Sequence, residues 1–205
     1  MRFFGYNIIY DAGFQEGRYM STMGTFSGRR FDPLMMTPED VVLEDIAHAL
    51  SLLCRGGGQL KYFYSVGQHC INCMKEAKAR GWSPRMQLAC LLHDASEAYI
   101  SDIIRPVKVH LSNYMEIEER IMDKIWQRFG LDDLTEEENR QWKQIDDDVL
   151  KLELKVLIEG EADAVCEELC SCPDISERPW RAVEKEFQTL AAKLTEMEKG
   201  VKENI

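Results

Sequence analysis

The stretch ACLLHDASEAYISDIIRPVK, Ala89 to Lys108, places His93 and Asp94 at the end of an apolar run, with Glu97 and Asp102 just beyond. Burying an ionised carboxylate costs several kcal/mol unless an ion pair, dense hydrogen bonding or a metal compensates it. Adjacent helical residues lie about 100° apart, so at a helix end His93 and Asp94 can still reach one ion from neighbouring directions. His69 is one of four histidines and falls with Val66, Cys70 and Cys73 on the inward stripe of the preceding helical segment. A further carboxylate comes from Ile145-Asp146-Asp147-Asp148-Val149, where Trp142, Ile145, Val149, Leu152 and Val156 mark the inward direction. Asp147 points away from that stripe. Leu150 and Leu157 extend the apolar arc on the Asp146 side, whereas Gln141, Lys151 and Lys155 make the Asp148 side polar. This predicts Asp146 as the buried acid and Asp147 and Asp148 as a solvated run. Two imidazoles and two carboxylates suit one divalent transition metal, and Mn, Fe, Co, Ni and Zn all accept such a set.

The elements that must position these groups read as helices. Thr37-Pro38-Glu39-Asp40 carries a capping oxygen, a proline at the first helical position and acids in the first turn, which predicts a helix to about Cys54, before Gly56-Gly57-Gly58. Ser65 with Gln68 opens a second helix that stops near Arg80 at Gly81, and Ser83-Pro84 starts a third, carrying the HD pair. Pro106 interrupts the next segment, Ser112 caps a helix ending before Gly130, Thr135 with Glu138 opens a long helix to about Glu159, and a last one spans about Pro179 to Lys199. Residues 1–36, with FFGYNIIY and YMSTMGTF, suit short strands in an extended arm. The expected fold class is all-α: an arm over 1–36, a helical core over 37–160, and a C-terminal helical extension, 161–205, packed on the core.

Composition narrows the partners. With 205 residues and 45% hydrophobic content the chain can bury one sizeable core, and its formal net charge of −11 argues against a nucleic-acid polymer, though a small anion needs only a few local cations. No apolar run reaches membrane-spanning or signal-peptide length. Seven scattered cysteines form no disulfide framework, which suggests the cytoplasm, and the Cys70-x-x-Cys73 pair reads as helical core.

Taken together, GRRFDPL (28–34), LEDIAHALS (43–51), YSVGQHC (64–70), HDASEAYISDIIRPVK (93–108) and IDDDVLKLE (145–153) resemble the HD-domain metal-dependent phosphohydrolases. The likeness is to the branch of bacterial 5'-deoxynucleotidases and phage deoxyadenosine triphosphate hydrolases, and runs from about Ser27 to Ile158. It implies an HD-domain helical bundle with metal ligands at His69, His93, Asp94 and Asp146, agreeing with the face argument for Asp146. It also implies acids that are not ligands at Glu97 and Asp102. Glu97 would orient the attacking water or take its proton, and Asp102 would protonate the leaving 5'-oxygen. Arg55 and Lys108 would bind the phosphate, Arg55 through a two-pronged guanidinium beside the glycines. The family usually has an aromatic residue where Gly56 follows Arg55. His48 reads as a hydrogen-bonded packing residue and His110 as surface. The expected activity is hydrolysis of (deoxy)nucleoside 5'-monophosphates, with triphosphate release from a deoxynucleoside triphosphate, or a metal-containing nucleotide-binding module without turnover, as alternatives. A small-molecule nucleotide is the expected partner, together with a second copy of the chain in a homodimer or higher oligomer.

Overall fold

The computed structural model describes residues 22–202, and local sequence signals set most of its helix ends. Helix α1 spans Leu43–Leu52, α2 Val66–Ala79, α3 Pro84–Leu92, α4 Glu97–Ile100, α5 Arg105–Lys108, α6 Ser112–Phe129, α7 Glu136–Leu157 and α8 Trp180–Lys202. Strands β1 (Met23–Gly24) and β2 (Arg30–Phe31) pair antiparallel, Met23 opposite Phe31, so the class is all-α with a minor hairpin. Ser65 and Ser83 accept hydrogen bonds from the Gln68 and Met86 amides, and Thr135 and Glu138 cap α7 reciprocally. Gly130 closes α6 at φ 68°, a left-handed conformation that favours glycine. The FFGYNIIY stretch lies outside the described residues. Among the described helices, none is long and apolar enough to cross a membrane.

Several expectations need correction. Thr37 opens only a 3-10 turn, Pro38–Asp40; Val41 and Val42 stay extended, as β-branched residues favour, and α1 starts at Leu43. Its last helical residue is Leu52 rather than Cys54. The Gln68 side chain does not return to Ser65 but donates to the carbonyls of Asp174 and Ser176. Ser112 is the first helical residue of α6, with Leu111 at the cap. Helix α3 ends at Leu92 with His93 at its cap, so it does not carry Asp94: the Ala95 and Glu97 amides bond the carbonyls of Leu92 and Asp94, three residues back, in a tight turn.

On α7 the buried positions are Ile145, Asp148, Val149, Glu153 and Leu157, while Val156 is exposed and Asp146 is only half-buried. Each four-residue step turns the face by about 40°, which carries it from the Leu152–Val156 line onto Glu153 and Leu157. Asp148 is therefore no solvated acid: Arg80, from the end of α2, covers it at 2.9 Å and Gln144 bonds it at 2.8 Å.

Ile46 and Leu50 of α1, Ile71 of α2, Leu88 and Leu92 of α3, and Val183 and Phe187 of α8 share the main core, so α8 belongs to the body that carries the site. A smaller cluster of Cys73, Ala77, Cys90, Ile145 and Val149 seats α7 on α2 and α3. The candidate ligands His69 and Asp146 stand on α2 and α7, and His93 and Asp94 at the end of α3.

Candidate metal centre

His69 lies within α2, His93 caps the C-terminus of α3 with Asp94 next to it, and Asp146 lies on α7. Their ligand atoms converge. His69 Nε2 is 3.2 Å from His93 Nε2, 3.1 Å from Asp146 Oδ1 and 3.8 Å from Asp94 Oδ2. His93 Nε2 is 3.2 Å from Asp94 Oδ2 and 3.7 Å from Asp146 Oδ1. Donors each about 2.1 Å from one ion stand about 3.0 Å apart at a right angle and about 3.4 Å apart at a tetrahedral one, so this spacing fits a shared ion. The far ring nitrogens are committed elsewhere, His69 Nδ1 to Glu153 at 2.8 Å and His93 Nδ1 to the Cys90 carbonyl at 2.8 Å. Two Nε2 atoms therefore face each other and two carboxylates, an arrangement that could hold a cation at its centre.

The electrostatics agree. Burial alone would lift Asp94 and Asp146, but His93 and Arg55 hold Asp94, and both imidazoles hold Asp146, far below the usual carboxylate range. Burial opposes charge on His93, yet Asp94 and Asp146 outweigh it and raise its pKa well above the ordinary value. Burial and Arg55 likewise oppose charge on His69, and Glu153 and Asp146 prevail. The CxxC pair is buried against the two histidines. Cys73 Sγ is 3.4 Å from His69 Nε2, and burial pushes the Cys70 thiol up to about 11. Cys73 with both histidines, and Cys70 with His93 and Asp94, are also groups close enough to hold a metal. The pair is core, as its sequence context indicates, but core that forms the floor of the site.

The remaining expected residues surround this centre unequally. Glu97 is 6% exposed, and its Oε2 has no hydrogen-bond partner among the described residues. Burial, then the charges of Asp94 and Asp102, raise its pKa well above the ordinary range. Asp102 follows in the loop and accepts a 3.1 Å hydrogen bond from the Gly56 amide. That links it to the turn Arg55–Gly58, where Gly56 and Gly57 both have φ 61° and the chain can fold tightly because neither carries a side chain. Arg55 sits in this turn with its side chain 13% exposed, Nη1 3.1 Å from Asp94 Oδ2 and Nε 3.4 Å from Glu153 Oε2. Lys108 stands apart from the ligands: its Nζ pairs with Glu118 at 2.6 Å and lies over the Tyr114 ring. Arg105, 60% exposed, bonds Asp147 at 2.8 Å and Asp146 at 3.4 Å on the rim. His48 pairs with Glu184 at 2.9 Å and stacks on Phe26, a packing role, and His110 is exposed.

Glu153 is the residue that sequence reasoning missed. It is 3% exposed and bonded to His69 Nδ1 and to the Tyr64 hydroxyl at 2.7 Å. Its signal was its spacing: seven residues after Asp146 is two helical turns, on the same face.

No protein-family model matches the chain. It is 39% identical over 112 residues to the uncharacterized protein YfdR of Escherichia coli, a match covering 55% of this chain and 60% of that protein. It is 43% identical over 111 residues to an uncharacterized protein of Rhodobacter capsulatus, covering 51% of this chain and 56% of the other. The chain thus spans less than two thirds of the length of either relative.

Proposed function

We propose that this chain is an HD-type metal-dependent phosphohydrolase that releases phosphate from (deoxy)nucleoside 5'-monophosphates. The observation that carries this reading is the convergence of His69, His93, Asp94 and Asp146 on one point with a buried acid, Glu97, beside it. A metal site that only stabilised the fold would have no use for that acid. The four ligands would hold one divalent ion of the Mn, Fe, Co, Ni or Zn group, which supplies activation of a water and offsets charge on a phosphoryl oxygen.

The other groups have separable tasks. Arg55 uses two of its nitrogens on Asp94 and Glu153, and a guanidinium has five donors, which leaves it able to orient a phosphate. Glu97, its pKa lifted from the ordinary carboxylate range, is a stronger base than an exposed carboxylate and is suited to take the proton of the attacking water. Asp102, tethered to Gly56, would pass to the leaving 5'-oxygen a proton that it first takes up from solvent. Lys108 assists only if substrate draws it from Glu118. The preference for a monophosphate rests on the resemblance to 5'-deoxynucleotidases.

The test is incubation of the purified protein with Mn or Co and a panel of nucleoside mono- and triphosphates, with products separated chromatographically. Nucleoside and inorganic phosphate from monophosphates are expected. Inorganic triphosphate from a triphosphate would move the chain to the other hydrolase branch, and no product from any nucleotide would leave a binding module.

A further inference from the structure

We propose that Glu153 is a positioning residue for both halves of the site, setting the ring of His69 toward the metal and the guanidinium of Arg55 toward the anion. The inference rests on the metal-centre reading above and adds to it the group that ties ligand to phosphate cation. Glu153 continues the line Ile145–Val149 on α7, a position that packing alone would fill with an aliphatic side chain. A buried carboxylate there is costly unless its partners are well placed. They are: Oε1 accepts from His69 Nδ1 at 2.8 Å and from the Tyr64 hydroxyl at 2.7 Å, and Oε2 lies 3.4 Å from Arg55 Nε.

The hydrogen bonds that link Asn72, Tyr64, Glu153 and His69 have fixed directions. Asn72 Nδ2 can only donate, and it donates to the Tyr64 oxygen at 2.8 Å and to the Asp174 carbonyl at 3.0 Å. Asn72 Oδ1 accepts from the Asp174 amide at 3.2 Å, which excludes a flipped side chain. The single Tyr64 proton is therefore directed at Glu153. An ionised carboxylate only accepts, so His69 carries its proton on Nδ1 and presents Nε2 to His93 and Asp146. Tyr64, Asn72 and Glu153 are all buried, and no water need enter to complete the set. His93 has a different orienter, the neutral carbonyl of Cys90, so of the two histidines only His69 is backed by a carboxylate.

The backbone reinforces the second half of the claim. The Arg55 amide bonds the Tyr64 carbonyl at 2.9 Å and the Val66 amide bonds the Leu53 carbonyl at 2.9 Å, closing the 55–64 loop at its base. Arg55 and Tyr64 are thereby side by side, and both reach the one carboxylate.

The experiment uses the full chain. Co(II) binding is measured by calorimetry and by the visible spectrum, and inorganic phosphate binding is then measured on the Co(II)-loaded protein. Glu153→Gln keeps the shape and one acceptor oxygen but not the charge. We expect its Co(II) affinity to fall about 10- to 100-fold, the usual effect of losing a group that backs a metal-bound histidine, and its phosphate affinity to fall as well. Tyr64→Phe keeps the Arg55–Glu153 contact, so Co(II) affinity should drop by less and phosphate affinity should not change. On Zn(II)-loaded, nitrogen-15-labelled protein, the His69 ring should show a hydrogen-bonded Nδ1–H that is lost or shifted in Glu153→Gln, a signature that a merely structural role would not move. Wild-type Co(II) affinity in a folded Glu153→Gln protein, or an Nε2–H tautomer of His69 in the wild type, would overturn the proposal. Loss of Co(II) affinity with phosphate binding intact would overturn the Arg55 half of it. A wild-type chain that binds no Co(II) would overturn the metal-centre reading itself, which is a distinct result.

Discussion

Helix α2 buries polar side chains on two faces, and they are used in opposite ways. Gln68, Asn72 and Glu76, four residues apart, meet the segment 170–176, where every group is matched. Gln68 donates to two carbonyls, Asn72 exchanges hydrogen bonds with Asp174, and Glu76 accepts from Arg80 Nε, the Cys170 and Ser171 amides and the Ser171 hydroxyl. One residue further round, His69 points at His93, Asp94 and Asp146, where two imidazoles and two carboxylates converge. Matched buried groups hold chain to chain. Converging imidazoles and carboxylates are groups that could bind a cation. Asn72 joins the two faces through Tyr64 and Glu153.

The largest effect that separates the faces is expected from Asp94→Ala. Removing an anionic ligand should lower metal affinity at least about 100-fold and abolish turnover, while circular dichroism and the urea midpoint stay close to wild type. Metal analysis after dialysis checks this, and full occupancy would mean that the HD pair is not the site. Glu76→Ala should do the reverse. It strips a buried carboxylate from four donors and should destabilise the fold by about 3–5 kcal/mol in urea, with the Co(II) affinity of the folded protein unchanged. A comparable loss of metal affinity would show that the faces are not independent.

These contrasts also explain what the sequence could convey. The caps at Ser65, Ser83 and Thr135 and the stop at Gly130 were legible because each is a local exchange of hydrogen bonds within a few residues. That His69, His93, Asp94 and Asp146 stand together was readable from ligand types beside apolar runs and from the resemblance to a known family. Asp148 reads as solvated in the sequence because its partner, Arg80, is 68 residues away and makes a polar neighbourhood an interior one. Glu153 was overlooked for a related reason: a glutamate among lysines reads as solvated until α2 and the 55–64 loop are seen to enclose it. The start of α1 slipped because the capping box at Thr37 is real but the valines after it end the turn.

Within the site, Glu97→Gln sharpens the distinction between holding the metal and moving protons. Turnover should fall about 100-fold with metal retained, the lower range for losing an acid or base. The sign of the pH effect follows from its environment. A folded-state pKa above the unfolded value means that the carboxyl favours folding while protonated, and that this contribution is lost as pH rises through the folded value. The metal-free variant should therefore gain stability relative to wild type above the ordinary carboxylate range, and not below it. Parallel urea midpoints at acidic and alkaline pH would contradict the raised pKa.

The smallest expected effect concerns the backbone that carries Asp102. Ser101 has φ 71° and ψ 160°, a region that costs a side-chain-bearing residue about 1–3 kcal/mol. It is held there by two contacts, its amide on the Glu97 carbonyl at 2.9 Å and the Tyr114 hydroxyl on its own carbonyl at 2.7 Å. Nothing on the matched face of α2 stores strain of this kind, since the positive-φ residues among those described are otherwise all glycines. Ser101→Gly should relieve the strain and lose part of the gain to the greater freedom of glycine in the unfolded chain, for a net stabilisation of about 1 kcal/mol, or a melting point roughly 2–4 °C higher. Ser101→Ala keeps the strain and should leave stability within about 0.5 kcal/mol of wild type. Because glycine also loosens the loop that aims Asp102, turnover should drop several-fold in the glycine variant while metal affinity is unchanged. A glycine variant less stable than the alanine variant would show that the loop conformation is relaxed, and that the site edge, like the matched face, is held without strain.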